Sequence, residues 1–348
     1  MNQIKVILLS LCFFHFSFPK DHSFHSDFSL EWCYFVGQLQ TESGNSYGYE
    51  LSFFRLKFSD DENWNPELFP VHFAISDLSG RKHKTAQTIK RNLSGLAGYD
   101  QSRIYSGEYE FQILSKDKFL IKAKPKSNEI AIEFTLEGDG NILSQGKNGI
   151  SIKSKRNPNI FSYYYSYPRL KTKGQLVFLG KKETIVSGNS WMDHEWSEKS
   201  SQNIPTLAKG QSGWDWICLI DERGGDYVFF RFRESPEQTP EIFGTYRDAK
   251  GKVTYWNDPK DIQMVPIGTS WKSNQTKITY PLHWKIKYPG GEWIVSPIFN
   301  EQEFDGSVST KTIYWEGAVL AKDPMEKKSA KGYLELKGYQ KSKDWWEF

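Results

Sequence analysis

A short block of sequence occurs twice in this chain, and two copies call for two similar folding units. Glu31-Trp32-Cys33-Tyr34-Phe35 leads through a turn to Tyr49 and Phe53-Phe54-Arg55. Asp215-Trp216-Ile217-Cys218-Leu219 leads through a turn to Tyr227 and Phe229-Phe230-Arg231. Each copy has an acid and a tryptophan opening a strand, a glycine-containing hairpin, and a second strand closing in Phe-Phe-Arg. Five matched features in one order indicate one plan used twice. Within 348 residues each unit has room for roughly eight strands, the number that closes into a small ligand-holding barrel. Closure would also remove the exposed edges that long aromatic strands otherwise offer for aggregation.

The rest of the chain reads as strand. Ile130, Ile132, Phe134 and Leu136 alternate with polar or small residues, and Ile278, Tyr280, Leu282, Trp284, Ile286 and Tyr288 do the same. A period of two is that of a sheet with one buried face. Aromatic residues make up 16%, with 13 Trp and 18 Tyr, which favours pleated surfaces. Turn chemistry separates the runs at Gly138-Asp139-Gly140-Asn141, Gly224-Gly225-Asp226, Lys250-Gly251 and Pro289-Gly290-Gly291. The only stretch with room for a short helix is Thr85 to Gly98. The fold class expected is therefore all-β, two tandem antiparallel barrels packed together. The polar, irregular stretch Ser200-Ser201-Gln202-Asn203-Ile204-Pro205 marks the boundary, giving units over residues 28–205 and 206–348. In the repeat register Cys33 matches Ile217 and Cys218 matches Tyr34, so the two cysteines sit on opposite faces of equivalent strands and do not form a disulfide.

The first 20 residues read as a leader. A basic residue, Lys5, precedes the apolar run Val6 to Phe18, which is too short to cross a bilayer as a helix. Export to the periplasm, cell envelope or medium is the expectation, with membrane or envelope association compatible with it. Cys12 after Leu9-Ser10-Leu11 gives only a weak lipoprotein-like context. The net charge of +3 is interspersed along the chain, unlike the one-sided basic face of a nucleic-acid binder. No P-loop, dinucleotide fingerprint or G-x-S-x-G elbow occurs, so no cofactor is expected. Nor is a metal, because strand alternation prevents adjacent Asp193, His194 and Glu195 from converging on one ion.

Further blocks occur in a fixed order: Tyr47-Gly48-Tyr49-x-Leu51-x-Phe53-Phe54-Arg55, His72-Phe73-Ala74-Ile75-Ser76-Asp77, Tyr163-Tyr164-Tyr165-Ser166 and Ser190-Trp191-Met192-Asp193-His194-Glu195-Trp196. Gly213-Trp214-Asp215-Trp216, Tyr314-Trp315-Glu316-Gly317-Ala318 and Gly332-Tyr333-Leu334-Glu335-Leu336-x-Gly338-Tyr339 come after them. From about Leu30 to Tyr339 the chain resembles the AttH/carotenoid 1,2-hydratase family, which also contains sequences labelled only as secreted hydrolases. The resemblance implies two lipocalin-like domains with a ligand cavity near their interface. Hydratase members add water across a terminal isoprenoid double bond without a cofactor. Their functional motif is similar to His194-x-Trp196 followed by Tyr-x-Asp. Here Asp215 is present, Gly213 stands where the tyrosine would be, and Glu31-Trp32-Cys33 replaces a Glu-Trp-Trp opening.

Hydrating an alkene needs a carboxyl group kept protonated by burial, and aromatic faces to stabilise the cation. Asp215 is the candidate acid and His194 the candidate for orienting or deprotonating water, with Trp196 beside it. Trp191, Trp214, Trp216, Tyr163, Tyr164, Tyr165, His72 and Glu31 are candidate contacts for a hydrophobic small molecule. By alternation His194 and Trp196 share a face opposite Asp193 and Glu195, and Asp215 points away from Trp214 and Trp216. If that tryptophan pair fills the second barrel, Asp215 faces the first. Alternatives stay open. Asp215 and Glu31 are structural acids paired with Arg231 and Arg55, and the protein is a non-catalytic carrier of a lipophilic ligand, a cell-envelope protein, or a hydrolase of the secreted type rather than a hydratase.

Overall fold

A computed structural model describes residues 15–58, 67–197, 212–235, 238–325 and 327–340. Among these residues there is no α-helix, only a 3-10 turn at Lys20–His22. Nine strands come first: β1 (Leu30–Thr41), β2 (Ser46–Lys57), β3 (Glu67–Asp77), β4 (Lys82–Arg91), β5 (Ala97–Tyr99), β6 (Arg103–Ser106), β7 (Tyr109–Ser115), β8 (Lys118–Ala123) and β9 (Ile130–Glu137). Two short strands, β10 (Leu143–Ser144) and β11 (Ile150–Ile152), precede the long pair β12 (Phe161–Phe178) and β13 (Lys181–Ser197). The second set begins with β14 (Gly213–Asp221), β15 (Asp226–Arg233), β16 (Glu241–Arg247), β17 (Val253–Trp256) and β18 (Gln263–Pro266). It continues with β19 (Trp271–Lys272), β20 (Thr279–Tyr280), β21 (Trp284–Tyr288), β22 (Gly291–Pro297), β23 (Glu303–Gly306), β24 (Thr312–Lys322) and β25 (Ser329–Lys337).

The first sheet runs β4-β3-β2-β1-β13-β12-β9-β8-β7-β6-β5 and curls into a nearly closed barrel. Its ends meet where the Ser106 hydroxyl donates to the Phe69 carbonyl. The second runs β17-β16-β15-β14-β25-β24-β22-β21-β18 and forms a half-barrel. The all-β, two-barrel expectation therefore holds. The duplicated block pairs in the same register in both copies: Glu31↔Arg55, Trp32↔Phe54 and Cys33↔Phe53 in one, Asp215↔Arg231, Trp216↔Phe230 and Ile217↔Phe229 in the other.

Two local expectations are corrected. Thr85 to Gly98 holds no helix: Lys82–Arg91 pairs along its whole length with β3, and β-branched Thr85, Thr88 and Ile89 suit that pleat. The alternation from Ile278 to Tyr288 is split into β20 and β21. Pro281 has no N–H to give a ladder, yet Tyr280, Leu282, Trp284 and Ile286 all stay buried. The expected boundary between units lies in residues 198–211, outside the described residues.

Each sheet encloses its own core, Phe35, Leu51, Phe73, Phe111, Phe134 and Tyr165 in the first, Phe229, Trp284, Trp293 and Trp315 in the second. A third cluster lies between them, where Tyr34, Val36 and Trp191 meet Trp216, Cys218, Ala318 and Tyr333. The strands β1 and β14, with the stretch of β13 from Ser190 to Ser197 and that of β25 from Gly332 to Lys337, are consequently covered on both faces. Cys33 points into the first barrel and Cys218 into the seam, both as free thiols.

The stretch of the expected leader before residue 15 lies outside the described residues. From residue 15 onward the chain is built into the fold. Phe16 and Phe18 set their rings against Tyr165 at 5.2 and 5.0 Å, His22 and Phe24 are buried, and the Arg55 guanidinium donates to the carbonyls of His25, Ser26 and Phe28. Residues 15–28 thus form a strap across the first barrel.

Candidate functional site

Between the barrels lies a cavity of about 180 Å³. One wall comes from the outward faces of β1, β2 and β13, with Trp32, Tyr34, Glu50, Phe54, Asp193 and Glu195. The other comes from β14, β15, β24 and β25, with Trp214, Trp216, Phe230, Tyr314, Glu316 and Lys337. Alternation explains the lining: every second residue of these strands faces the seam, and its neighbours fill a barrel. The surroundings are aromatic. The Tyr34 and Trp216 rings meet edge to face at 5.5 Å, and Trp191 meets Trp216 at 6.5 Å.

Into this apolar space project several carboxyl groups. Glu50 Oε1 accepts from the Ser52 and Tyr314 hydroxyls, each at 2.9 Å, whereas Oε2 is buried with no hydrogen-bond partner. Burial pushes the Glu50 carboxyl up to about 8, against the two hydroxyls that pull it down. The group is therefore a carboxylic acid at neutral pH. Glu316, which accepts from the Tyr34 hydroxyl, is held well above the carboxylate range by burial and then by Glu50 and Glu335. Asp193 is different. Its oxygens accept from Ser166 and Tyr164 at 2.5 Å and from the Trp191 indole at 2.6 Å, and burial still lifts it to about 7. Behind Glu50 a relay continues: Tyr314 contacts His72 Nδ1 at 2.8 Å, and His72 Nε2 contacts Ser309 at 2.8 Å. Burial holds His72 neutral, near 3. At another point of the rim Lys153 pairs with Glu195 at 2.6 Å and lies 4.9 Å from the Tyr164 and Phe230 rings.

Glu50 and Asp193 gain protons on folding, because their folded pKa values exceed the unfolded ones. Their protonated forms stabilise the fold below the folded values, and that contribution is lost as pH rises towards 8. Thermal unfolding should therefore fall by roughly 5 °C between pH 5 and pH 9, with the Glu50 part of that slope absent in Glu50→Gln. Calorimetry across that range checks it, and a flat profile counts against a buried neutral Glu50.

Of the residues singled out in the sequence, the structure gathers Trp214, Trp216, Tyr164 and His72 around the cavity. Trp191 stands behind the wall and orients Asp193. Glu31, His194, Trp196 and Tyr165 lie inside the first barrel, with Tyr163 packed against that core. Asp215 is the main correction. Trp214 and Trp216 occupy the seam rather than the second barrel, so alternation turns Asp215 into that barrel and not towards the first. There it meets Arg231 at 2.5 Å, the Tyr339 hydroxyl at 2.7 Å and Arg233 at 3.3 Å. Asp215 and His194 therefore do not share a site. Glu31 also departs from expectation: it lies across from Arg55 but bonds His25 and His194, while Arg55 binds Glu67 and the strap. A side chain at Gly213 would place its Cβ 2.2 Å from the Lys337 carbonyl, so no tyrosine fits there, and Tyr339 supplies the phenol at Asp215.

The residues missed were Glu50, Tyr314, Lys153 and Glu316. A lone acid between Tyr49 and Leu51 in an apolar strand was the available signal for Glu50.

The fold and site define a two-barrel, lipocalin-like protein with an acid-bearing aromatic cavity between its halves. The chain belongs to the AttH-like family, whose model matches residues 14–339. Among solved structures it resembles a protein of Nitrosomonas europaea assigned as an AttH, with 28% identity and a TM-score of 0.83 over 93% of this chain and 97% of that one. It also resembles kievitone hydratase from Nectria haematococca, at 16% identity and a TM-score of 0.72 over 94% of each chain. CghA solved with Sch210972 shares the fold at 11% identity and a TM-score of 0.56, covering 91% of this chain and 90% of that one. No curated protein matches by sequence.

Proposed function

We propose that the interdomain cavity binds an apolar, isoprenoid or lipid-like molecule and adds water to it by acid–base chemistry without a cofactor. The observation that carries this reading is Glu50, a buried acid whose Oε2 has no partner and faces an aromatic cavity. Glu50 gives its proton to the less substituted carbon of an alkene. The π pair forms the new C–H bond and leaves a tertiary cation, which the faces of Trp214, Trp216 and Phe230 stabilise. Water adds to that cation, and the Glu50 carboxylate takes the proton that the added water sheds. The acid is restored, with Tyr314 and His72 holding the carboxyl in place. The hydratase among the structural neighbours supports this reaction class, and Lys5 followed by the apolar stretch Val6 to Phe14, ahead of the strap, supports export of the protein.

The test is incubation of the purified protein with geraniol-length alkenes in ¹⁸O-labelled water. A tertiary alcohol carrying one ¹⁸O is expected. Saturable binding with no labelled product across such alkenes would favour the carrier instead.

A further inference from the structure

We propose that His25 of the strap, Glu31 of β1 and His194 of β13 bind one divalent transition-metal ion, zinc by preference, inside the first barrel and apart from the interdomain cavity. His25 Nδ1 and His194 Nε2 both point at Glu31 Oε1, at 2.6 and 2.8 Å, and all three ligand atoms lie within 4.8 Å of one another. Two imidazoles and a carboxylate are a donor set that suits zinc and its neighbours. The adjacency that keeps Asp193, His194 and Glu195 from one ion does not apply, because these ligands come from three separate segments.

The setting of the cluster supplies the second argument. The three groups come from the strap, β1 and β13, and Glu31 and His194 are fully buried. The outer ring nitrogens point away from the shared oxygen: His194 Nδ1 lies 3.2 Å from the Tyr165 hydroxyl, and His25 Nε2 is buried without a hydrogen-bond partner, 3.5 Å from Asp21 Oδ1. An oxygen beside the outer nitrogen is how a protein orients a metal-bound imidazole. The ion would fasten the strap to the two strands that carry the seam.

The experiment uses the full chain, purified without a histidine tag, stripped with chelator and titrated with zinc chloride by calorimetry. About one ion per chain is expected, bound about 100-fold or more weakly in His25→Ala and Glu31→Gln, and about 10–100-fold more weakly in Asp21→Asn. Circular dichroism reports whether each variant folds. His25 is partly exposed on the strap, so its variant carries the test if the Glu31 variant does not fold. Zinc should also raise the melting temperature of the parent and not of His25→Ala. No uptake by the stripped parent overturns the proposal, as does undiminished binding in His25→Ala.

Discussion

Glu50→Gln is expected to lower alkene hydration by about 10²–10⁴-fold while leaving ligand affinity nearly unchanged. Glutamine keeps the volume and the acceptor that Ser52 and Tyr314 bind, so the wall is preserved. What it lacks is an acidic proton to give to carbon, and no hydrogen bond substitutes for that. The pH profile separates this role from a structural one. Activity in the parent should decline as pH rises through about 8, where Glu50 loses its proton, and the residual activity of the variant should not follow that curve. Comparable turnover in Glu50→Gln, with the same alkaline limb, would transfer the acid role to another group, with Glu316 next in line. Isothermal titration alongside the rate measurement keeps binding and chemistry apart.

The second large effect concerns the join between the barrels. Asp226→Ala should destabilise the protein by about 3–5 kcal/mol. Asp226 is fully buried at the start of β15 and takes two guanidiniums: Arg169 of β12 at 2.7 Å, and Arg247 of β16 through Nε at 3.0 Å and Nη2 at 2.6 Å. Arg169 comes from the first barrel and also donates to the carbonyls of Asp221 and Gly225, while Arg247 reaches back to the carbonyl of Asn141. Burial pushes the Asp226 carboxyl up and the two arginines oppose it. Alanine would leave two cations facing each other across the seam with no counter-charge. Urea titration followed by tryptophan fluorescence checks the magnitude. A loss below about 1 kcal/mol would mean that the seam repacks around the arginines. A transition splitting into two steps would show this staple to be what makes the halves unfold together.

The sequence carried the fold a long way. The doubled acid–Trp block located two equivalent hairpins, and alternation along Asp193-His194-Glu195-Trp196 separated the barrel-facing pair from the seam-facing pair correctly. Alternation does not say which face is which when both are buried, and β1, β14 and the seam-facing parts of β13 and β25 are covered on both sides. Tryptophan fills either space equally well, so the condition that would turn Asp215 towards the first barrel, Trp214 and Trp216 inside the second, cannot be decided from alternation, and the structure does not meet it. Glu50 escaped notice for a related reason: its chemistry depends on what closes over it, and Tyr314 arrives from 264 residues further along the chain. The His25–Glu31–His194 cluster was equally hidden, since His25 precedes the first strand and reads there as part of a polar lead-in.

The strap has a practical side. A strand map alone would invite trimming the chain to Leu30, just ahead of β1. Such a cut would pull Phe16, Phe18, His22 and Phe24 from beneath Tyr165 and His194, strip the Arg55 guanidinium of three carbonyl partners and leave an uncorked can whose base floods with water. The shortest autonomous version of this protein therefore begins upstream of its first regular element, and fusions at that end have to leave the cork seated.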